Sequence, residues 1–302
     1  MVTSIRAFTK YVLYPILLAA TLAIAAIAVV WHWDYGTVYG AMTLVLVVTL
    51  ATIERVAAFE RRWAMTWRSF RRDLKYIAAG APTIALTRAA FGIWAISYSG
   101  HHGRLLYMAP IWLETVAFLL VFEFFQYWYH RLSHTSGGRL GQFLWRVHAA
   151  HHLPDRVYVV MHAVFHPINA LITTAIIQTP LILLGVSPEA ALFATLLIDL
   201  QSLVSHFNVD VRAGWFNYLF IGTETHRYHH SADVREAGNF GNTLAVWDLL
   251  FGTFRYRPGI APQALGVSEA AGYPDSNDWL RVLALPFGED AASVEGRQVV
   301  RS

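Results

Sequence analysis

Residues 11–31 read YVLYPILLAATLAIAAIAVVW, a run that contains no charged side chain. About 20 apolar residues are needed for a helix to cross a bilayer, so this run predicts a spanning helix. It has no small-residue cleavage site and another apolar run follows closely, which favours a retained helix over a cleaved signal peptide. The stretch therefore predicts a membrane protein built from helices.

The composition of the whole chain agrees with this prediction. Of 302 residues, 56% are hydrophobic and 14% are charged, whereas about 25% are charged in an ordinary soluble domain. The absence of Cys excludes disulfides, thiolate metal sites and a cysteine nucleophile. The formal net charge of +3 is not accompanied by a nucleic-acid motif, so we expect no nucleic-acid partner. The basic residues cluster beside apolar runs, which is typical of a membrane surface.

Three further apolar runs extend the predicted membrane region. Thr37–Phe59 would form a hairpin with the first run, and Tyr76–Ser99 and Leu105–Tyr129 complete four spans within residues 1–129. The positive-inside rule places the basic stretch between the second and third runs in the cytoplasm, and the N-terminus on the same side. The basic residues of this stretch are Arg55, Arg61, Arg62, Arg68, Arg71, Arg72 and Lys75.

Polar and apolar segments alternate in the rest of the chain. We predict a first histidine-rich cytosolic segment at 130–163, an apolar helical hairpin at 164–205 and a second histidine-rich cytosolic segment at 206–257. Residues 258–302 are expected to contain a short docking helix and a disordered tail. The predicted fold class is all-α: a polytopic membrane bundle with a cytosolic cap that binds two metals.

Two charged residues lie inside predicted spans. Arg88 and Glu114 fall at similar depths when counted from the predicted cytoplasmic ends of their helices. An unpaired charge at the bilayer centre costs at least about 2.5–3.5 kcal/mol, so we predict a structural ion pair between them. The alternative is that one of the two extends to the membrane surface or faces a wet cavity.

Histidine recurs in three short motifs of this apolar chain. Residues 130–134 read HRLSH, residues 148–152 read HAAHH and residues 226–230 read HRYHH. Residues three and four apart share a helix face, so the histidines of each motif are expected to aim at one point. Together they supply eight imidazoles, those of His130, His134, His148, His151, His152, His226, His229 and His230.

The number of imidazoles predicts a site for two metal ions. Imidazole is the commonest nitrogen ligand for Zn, Cu, Fe and Ni. With His166 and His206 at the ends of the hairpin as further candidate ligands, the count exceeds what one ion accepts. We expect His162 to support the site rather than to bind a metal.

Two classes of function are compatible with such a site. A hydrolytic zinc enzyme would need a carboxylate base, as in HExxH, which these motifs lack. A metal transporter or sensor is the non-enzyme alternative, although a transporter would place its ligands near the membrane midplane. A pair of redox metals beside the lipid favours oxygen chemistry on an apolar C–H bond.

Longer motifs around the histidines resemble the fatty acid hydroxylase/sterol desaturase superfamily of membrane di-iron enzymes. The resemblance covers about residues 115–254, whereas the first 110 residues share only their apolar helical character. The motifs are EFFQYWYHRLSH at 123–134, LWRVHAAHH at 144–152, FHPIN at 165–169, SHFNVD at 205–210, THRYHH at 225–230 and NFGNTLAVWDLLFGTF at 239–254.

The resemblance implies roles for individual residues. All ten histidines named as candidate ligands match family histidines, and His166 is the histidine of the H-P motif. Asn239 and Asp248 match positions that would hold a loop or hydrogen-bond to ligands. Glu123 stands where the family often has Asp, and His162 stands where many members have a small or hydroxyl residue. We expect Glu123 and His162 to affect the choice of substrate or to support the metal ligands.

The resemblance also implies a chemistry. A di-iron centre would use O2 and two electrons to hydroxylate an aliphatic C–H bond of a fatty acyl chain, a sterol or a related membrane lipid. Desaturation on the same site is the alternative. We expect no electron-transfer segment in this chain, so the electrons would come from a separate cytochrome b5-like protein, ferredoxin or reductase.

Overall fold

The computed structural model describes residues 2–99, 105–106, 109–267 and 272–288. Within these ranges the chain forms helices joined by loops, and the few β-bridges are isolated. The all-α prediction is therefore confirmed. The helices are α1 (Val2–Tyr11), α2 (Leu13–Val30), α3 (Tyr35–Ala57), α4 (Trp67–Ser99), α5 (Ile111–Thr135), α6 (Gly138–His152), α7 (Pro167–Leu183), α8 (Pro188–Ser205), α9 (Thr223–His229), α10 (Val246–Leu250) and α11 (Trp279–Ala284).

Four helices, α2 to α5, are long and apolar enough to cross a membrane. Their outer faces carry large exposed apolar side chains such as Leu44, Val48, Leu86 and Ile93. Such surfaces suit contact with lipid tails, and a helix satisfies its backbone hydrogen bonds internally, as the bilayer core requires. The protein is a multi-pass membrane protein, as the apolar runs predicted.

The predicted apolar hairpin, α7 and α8, lies inside this bundle. α8 packs against α2, α3 and α5, and α7 packs against α4 and α5. Apolar side chains of α8 from Leu192 to Val204 are buried against these neighbours. The hydroxyl of Ser187 accepts a hydrogen bond from the N–H of Ala190, and Pro188 takes the first helical position. These two residues fix the beginning of α8, and His206 follows its last residue, Ser205.

The predicted ion pair between Arg88 and Glu114 does not form. Glu114 accepts a hydrogen bond from the backbone N–H of Ser187, at the beginning of α8. Arg88 instead lies near Asp199 of α8. Asp199 is about 18 Å of helix rise away from Ser187. The similar depths expected for Arg88 and Glu114 were wrong, because α4 begins before Tyr76 and α5 continues beyond Tyr129.

Buried polar contacts join the membrane helices to the histidine-rich cap. The carboxylate of Glu54, near the end of α3, accepts hydrogen bonds from the N–H groups of Val159 (2.9 Å) and Asn208 (2.7 Å). On α4 the guanidinium of Arg72 donates to the hydroxyl of Tyr158 at 2.9 Å. These contacts hold the loops before and after the hairpin against the ends of α3 and α4.

The predicted docking helix at 279–287 is observed as α11 followed by a 3₁₀ turn at Leu285–Phe287. α11 contacts α4, and the turn packs against α6. The helix therefore closes one side of the cap. The expected disordered tail begins beyond residue 288 and lies outside the described residues.

Candidate metal centre

Nine histidines gather in two groups beneath the cap. In each group, one ring nitrogen from every residue lies within 4.8 Å of all the others. Each of the nine side chains is at most 5% exposed, so an ion held there is shielded from water. The first group contains His130, His134, His148, His152 and His229, and the second contains His151, His206, His226 and His230.

The HAAHH motif on α6 divides its histidines between the two groups. His148 and His152 belong to the first group, and His151 belongs to the second. The expectation that the motif aims at one point is therefore wrong. Residues four apart differ by about 40° around a helix, but consecutive residues differ by about 100°. Adjacent His151 and His152 consequently belong to different groups.

The HRYHH motif on α9 divides in the opposite sense. His226 and His230 belong to the second group, and His229 belongs to the first. Each motif therefore gives two ligands to one group and one ligand to the other. Both motifs therefore contribute to both groups, and no single segment of the chain supplies all the histidines of either group.

Hydrogen bonds at Nδ1 set the orientation of five of the nine rings. In the first group, His130 donates to the carbonyl of Phe240 (2.7 Å) and His229 to that of Gly238 (3.1 Å). A carbonyl oxygen can only accept, so the proton must lie on Nδ1 and the lone pair on Nε2. This arrangement presents Nε2 as the metal ligand, with the ring held by its other nitrogen.

The second group shows most directly that a cation fits. The Nδ1–H groups of His151 and His206 donate to the carbonyls of Val164 (3.2 Å) and Ser202 (3.0 Å). Burial lowers the pKa of His151 well below its usual value and that of His206 to about 3, so both rings are neutral. Their Nε2 atoms nevertheless lie 3.1 Å apart. Two facing lone pairs repel, and a metal ion between them removes the repulsion.

The spacing of the nitrogens favours one coordination geometry. Six Nε2–Nε2 contacts within the two groups measure 3.0–3.1 Å. Two nitrogens each about 2.1 Å from one ion are about 3.0 Å apart at a right angle and about 3.4 Å apart at a tetrahedral angle. The donor set fits ions with ligands near 90°, as in non-haem iron sites, better than tetrahedral zinc.

Two carboxylates hold the loop that orients the first group. Asp248 accepts hydrogen bonds from the N–H groups of Phe240 (2.8 Å) and Gly241 (2.7 Å). Burial raises the pKa of Asp248 to about 6, and its hydrogen bonds oppose that rise. Glu123 accepts from the N–H groups of Asn242 and Thr243. Neither carboxylate belongs to a histidine group; both act by fixing residues 240–243, whose Phe240 carbonyl orients His130.

Asn239 fixes the same loop from its other end. Its side-chain amide donates to the carbonyls of Thr225 (2.7 Å) and Arg255 (2.8 Å). Its backbone is in the left-handed region with φ +59°, which Asn tolerates better than most residues. The turn places the carbonyl of Gly238 against His229.

Comparisons with known proteins agree with this arrangement. Residues 115–253 match the fatty acid hydroxylase family. The ornithine lipid hydroxylase OlsE of Rhizobium tropici is 31% identical over 260 residues, which cover 80% of this chain and 75% of that protein. The chain belongs to the fatty acid hydroxylase family. No solved structure matches it.

Two predicted site histidines of this family member lie outside both groups. His166 caps α7: its Nδ1 accepts from the N–H of Ile168, and its Nε2 contacts the carbonyl of Leu283 at 3.1 Å. His162 hydrogen-bonds to the carbonyl of Val159, and its ring centroid is 6.4 Å from that of His206. His166 therefore joins α7 to the C-terminal segment, and His162 lies beside the candidate ligand His206.

Sequence reasoning missed the role of Asn169. Its side-chain oxygen accepts hydrogen bonds from the hydroxyl of Tyr129 (2.7 Å) and from Nδ1 of His148 (3.2 Å). Asn169 thus performs for His148 the task that backbone carbonyls perform for other ligands in the fatty acid hydroxylase fold. The FHPIN motif contained the signal, because Asn169 is a polar residue at the start of an apolar helix.

A cavity of about 220 Å³ connects the two groups with the membrane helices. Histidines of both groups line one end of it, among them His148 and His206. From there it extends between α3, α4, α5, α7 and α8, past apolar side chains such as Phe122 and Ile198. In this hydroxylase family member, a molecule in the cavity would approach both ion sites from the membrane region.

Proposed function

We propose that this protein is a membrane-bound, O2-dependent di-iron enzyme that hydroxylates an aliphatic C–H bond of a membrane lipid. The cavity that leads from the membrane helices to both histidine groups is the observation that carries the proposal. A soluble substrate would not need such a path. Similarity to a protein named as a lipid hydroxylase favours hydroxylation over desaturation.

The donor set supports two iron ions. Five nitrogens in one group and four in the other leave coordination positions open at right-angled geometry. Bound iron and O2 would supply the oxidising power needed for attack on a C–H bond. The chain's own residues hold five of the nine rings in place through Nδ1 contacts, exclude water by burial and position the substrate carbon through the cavity walls.

The overall reaction needs a source of electrons. Hydroxylation consumes O2, two electrons and two protons, and it yields the alcohol and water. We propose that a separate one-electron carrier, either a cytochrome b5-like protein, a ferredoxin or a reductase, supplies the electrons. The exposed arginines near the start of α4, such as Arg68, offer a basic surface that would attract an acidic donor.

We also propose that the N-terminus, the histidine motifs and the C-terminus face the cytoplasm. The basic stretch between α3 and α4 supports this orientation. Because the chain lacks Cys, single cysteines introduced at exposed positions can be labelled without background. Labelling of Arg68→Cys in intact cells by an impermeant maleimide would contradict the orientation, and labelling only after permeabilisation is expected.

Comparative lipidomics tests the enzymatic proposal. A host that expresses the wild-type chain is expected to show one lipid class with a mass gain of one oxygen. His151→Ala should abolish this gain. The purified protein should contain two iron ions per chain and consume O2 when given the lipid and a reductant. Zinc as the sole metal, without lipid oxidation under reducing conditions, would favour the transporter or sensor alternative.

A further inference from the structure

The end of the cavity that lies away from the histidines contains charged groups. Arg88 on α4 and Asp199 on α8 both line it, and they interact electrostatically across it. Asp199 accepts a hydrogen bond of 2.8 Å from the hydroxyl of Thr43. Both charges lie within apolar helices, far from the helix ends, where an ionisable residue is costly and generally serves a function.

These two charges do not form a close ion pair. Among the described residues, no carboxylate forms an ion pair with the guanidinium of Arg88, which instead interacts with the hydroxyl of Tyr39, and Arg88 is exposed. A pair kept only for stability would be in direct contact, because the attraction must offset desolvation. Tyr39, which also lines the cavity, interacts with both charges, so a ligand that carries charge of both signs would contact these three side chains.

Unpaired polar atoms continue along the cavity toward the histidines. Gln126, which is 8% exposed, and Asn169, which is 1% exposed, both line it. The side-chain oxygen of Gln126 and the side-chain nitrogen of Asn169 have no hydrogen-bond partner within the described parts of the chain. An unpaired buried polar atom costs about 1–3 kcal/mol, so a hydrogen-bonding ligand is expected there.

The spacing of these groups limits where a substrate would be oxidised. Asp199 precedes His206 by seven positions on α8, or about 10 Å of helix rise. Gln126 lies one helical turn before His130 on α5. Asn169 contacts His148 directly. A molecule that touches the charged end would therefore place atoms within about 10 Å of that contact beside the ion sites.

We propose that the cavity binds the zwitterionic headgroup of a lipid, with Arg88 binding its anionic group and Asp199 its cationic group. This inference rests on the proposed lipid hydroxylase function and names the substrate class. The volume of about 220 Å³ is below the range for drug-sized ligands, so it holds a headgroup and not acyl chains. The chains remain between the outer helices, and the oxidised carbon lies in or next to the headgroup.

A set of matched lipids tests the assignment on the iron-loaded enzyme in nanodiscs. The parent is an acylated amino-acid lipid with a free ammonium and a free carboxylate. One derivative is N-acetylated and lacks the positive charge, and the other is a methyl ester and lacks the negative charge. We expect the parent to be hydroxylated with a KM at least about tenfold lower than that of either derivative.

Variants assign each charge to a partner. Asp199→Asn should raise KM for the parent about tenfold with little change in kcat, and it should leave KM for the N-acetylated lipid unchanged. Arg88→Met should do the same for the parent and leave the methyl ester unchanged. Ile177→Val, also in the cavity wall, is the control and should not distinguish the three lipids.

The outcomes separate this inference from the proposed function. Equal KM values for the three lipids, or variant effects that ignore the charge of the lipid, would overturn the headgroup assignment. So would a hydroxyl group placed far along an acyl chain of the product. If no lipid of any class is oxidised by an enzyme that contains both ions, the proposed function itself fails. Melting temperature and metal content of Asp199→Asn and Arg88→Met, compared with wild type, exclude misfolding as the cause.

Discussion

The Nε2 atoms of His151 and His206 lie 3.1 Å apart, although 55 positions separate the two residues in the chain. Each ring donates its Nδ1–H to a backbone carbonyl, so the facing nitrogens both carry lone pairs. The pair joins the end of α6 to the end of α8. A cation between the two nitrogens would remove their repulsion, so we expect metal binding to stabilise the packing of the cap on the bundle.

The division of the motifs predicts that single histidine variants remove one ion and keep the other. His151→Ala removes one of four nitrogens from the second group and none from the first. We expect one ion per chain in place of two, measured by elemental analysis of the purified protein. His166→Ala is the matched control, because His166 lies outside both groups, and it should retain two ions. Loss of metal in the control would show that the grouping is incomplete.

The loop at 240–243 is predicted to support the first group in particular. The carboxylate of Glu123 accepts hydrogen bonds from the N–H groups of Asn242 and Thr243. Glu123→Gln replaces one of its oxygens with an NH₂ group, which cannot accept such a bond. A lost buried hydrogen bond costs about 1–3 kcal/mol, so the melting temperature should fall and the first-group ion should be lost more readily. Asp275→Asn alters an exposed pair with Arg68 and should have little effect. Equal retention of both ions in Glu123→Gln would argue against this role.

Asn169 is predicted to set the tautomer of His148. Asn169→Leu removes the acceptor of the Nδ1–H of that ring. Loss of such a partner generally lowers metal affinity about 10–100-fold, which can be measured by competition with a chelator. Tyr129→Phe removes only the second donor to the same oxygen and should have a smaller effect. If the two variants lose metal to the same extent, hydroxyl and imidazole contribute equally and the tautomer argument fails.

Arg227 is predicted to stabilise the helix that carries the second histidine motif. Its guanidinium donates to the carbonyls of Phe207 (2.9 Å) and Val209 (2.7 Å) and lies 4.3 Å from the ring centroid of Phe59. Burial lowers its pKa to about 10, so it remains charged at neutral pH.

Arg227→Met would remove the side-chain donor from both carbonyls, and the carbonyl of Val209 would keep only the N–H of Val211. We expect a loss of about 1–3 kcal/mol of stability, measured as a lower melting temperature in detergent. Arg235→Met changes an arginine whose side chain is 87% exposed and should melt like the wild type. A melting temperature unchanged in Arg227→Met would mean that water replaces the guanidinium.

Much of the fold follows from local sequence. A run of about 20 apolar residues has only one common structure in a bilayer, so all four spanning helices could be predicted, α2 and α3 within two residues at each end. α5 begins and ends six residues later than predicted. The polar start of α4 could not, because its charged residues continue the helix outside the apolar run. The hairpin was also recognised, but its central position in the bundle depends on packing against three other helices.

The candidate site, too, follows partly from local sequence and partly from tertiary structure. By itself, the sequence determined the helical membrane architecture, the family and nine of the histidines, because each depends on residue type and on spacing within one segment. Only the tertiary structure decided that each His-x-x-His-His motif supplies both ion sites, that His166 caps α7, and that Arg88 faces Asp199 rather than Glu114. These are contacts between segments far apart in the chain, and helical periodicity gives the direction of a side chain around its own axis but not what lies opposite it.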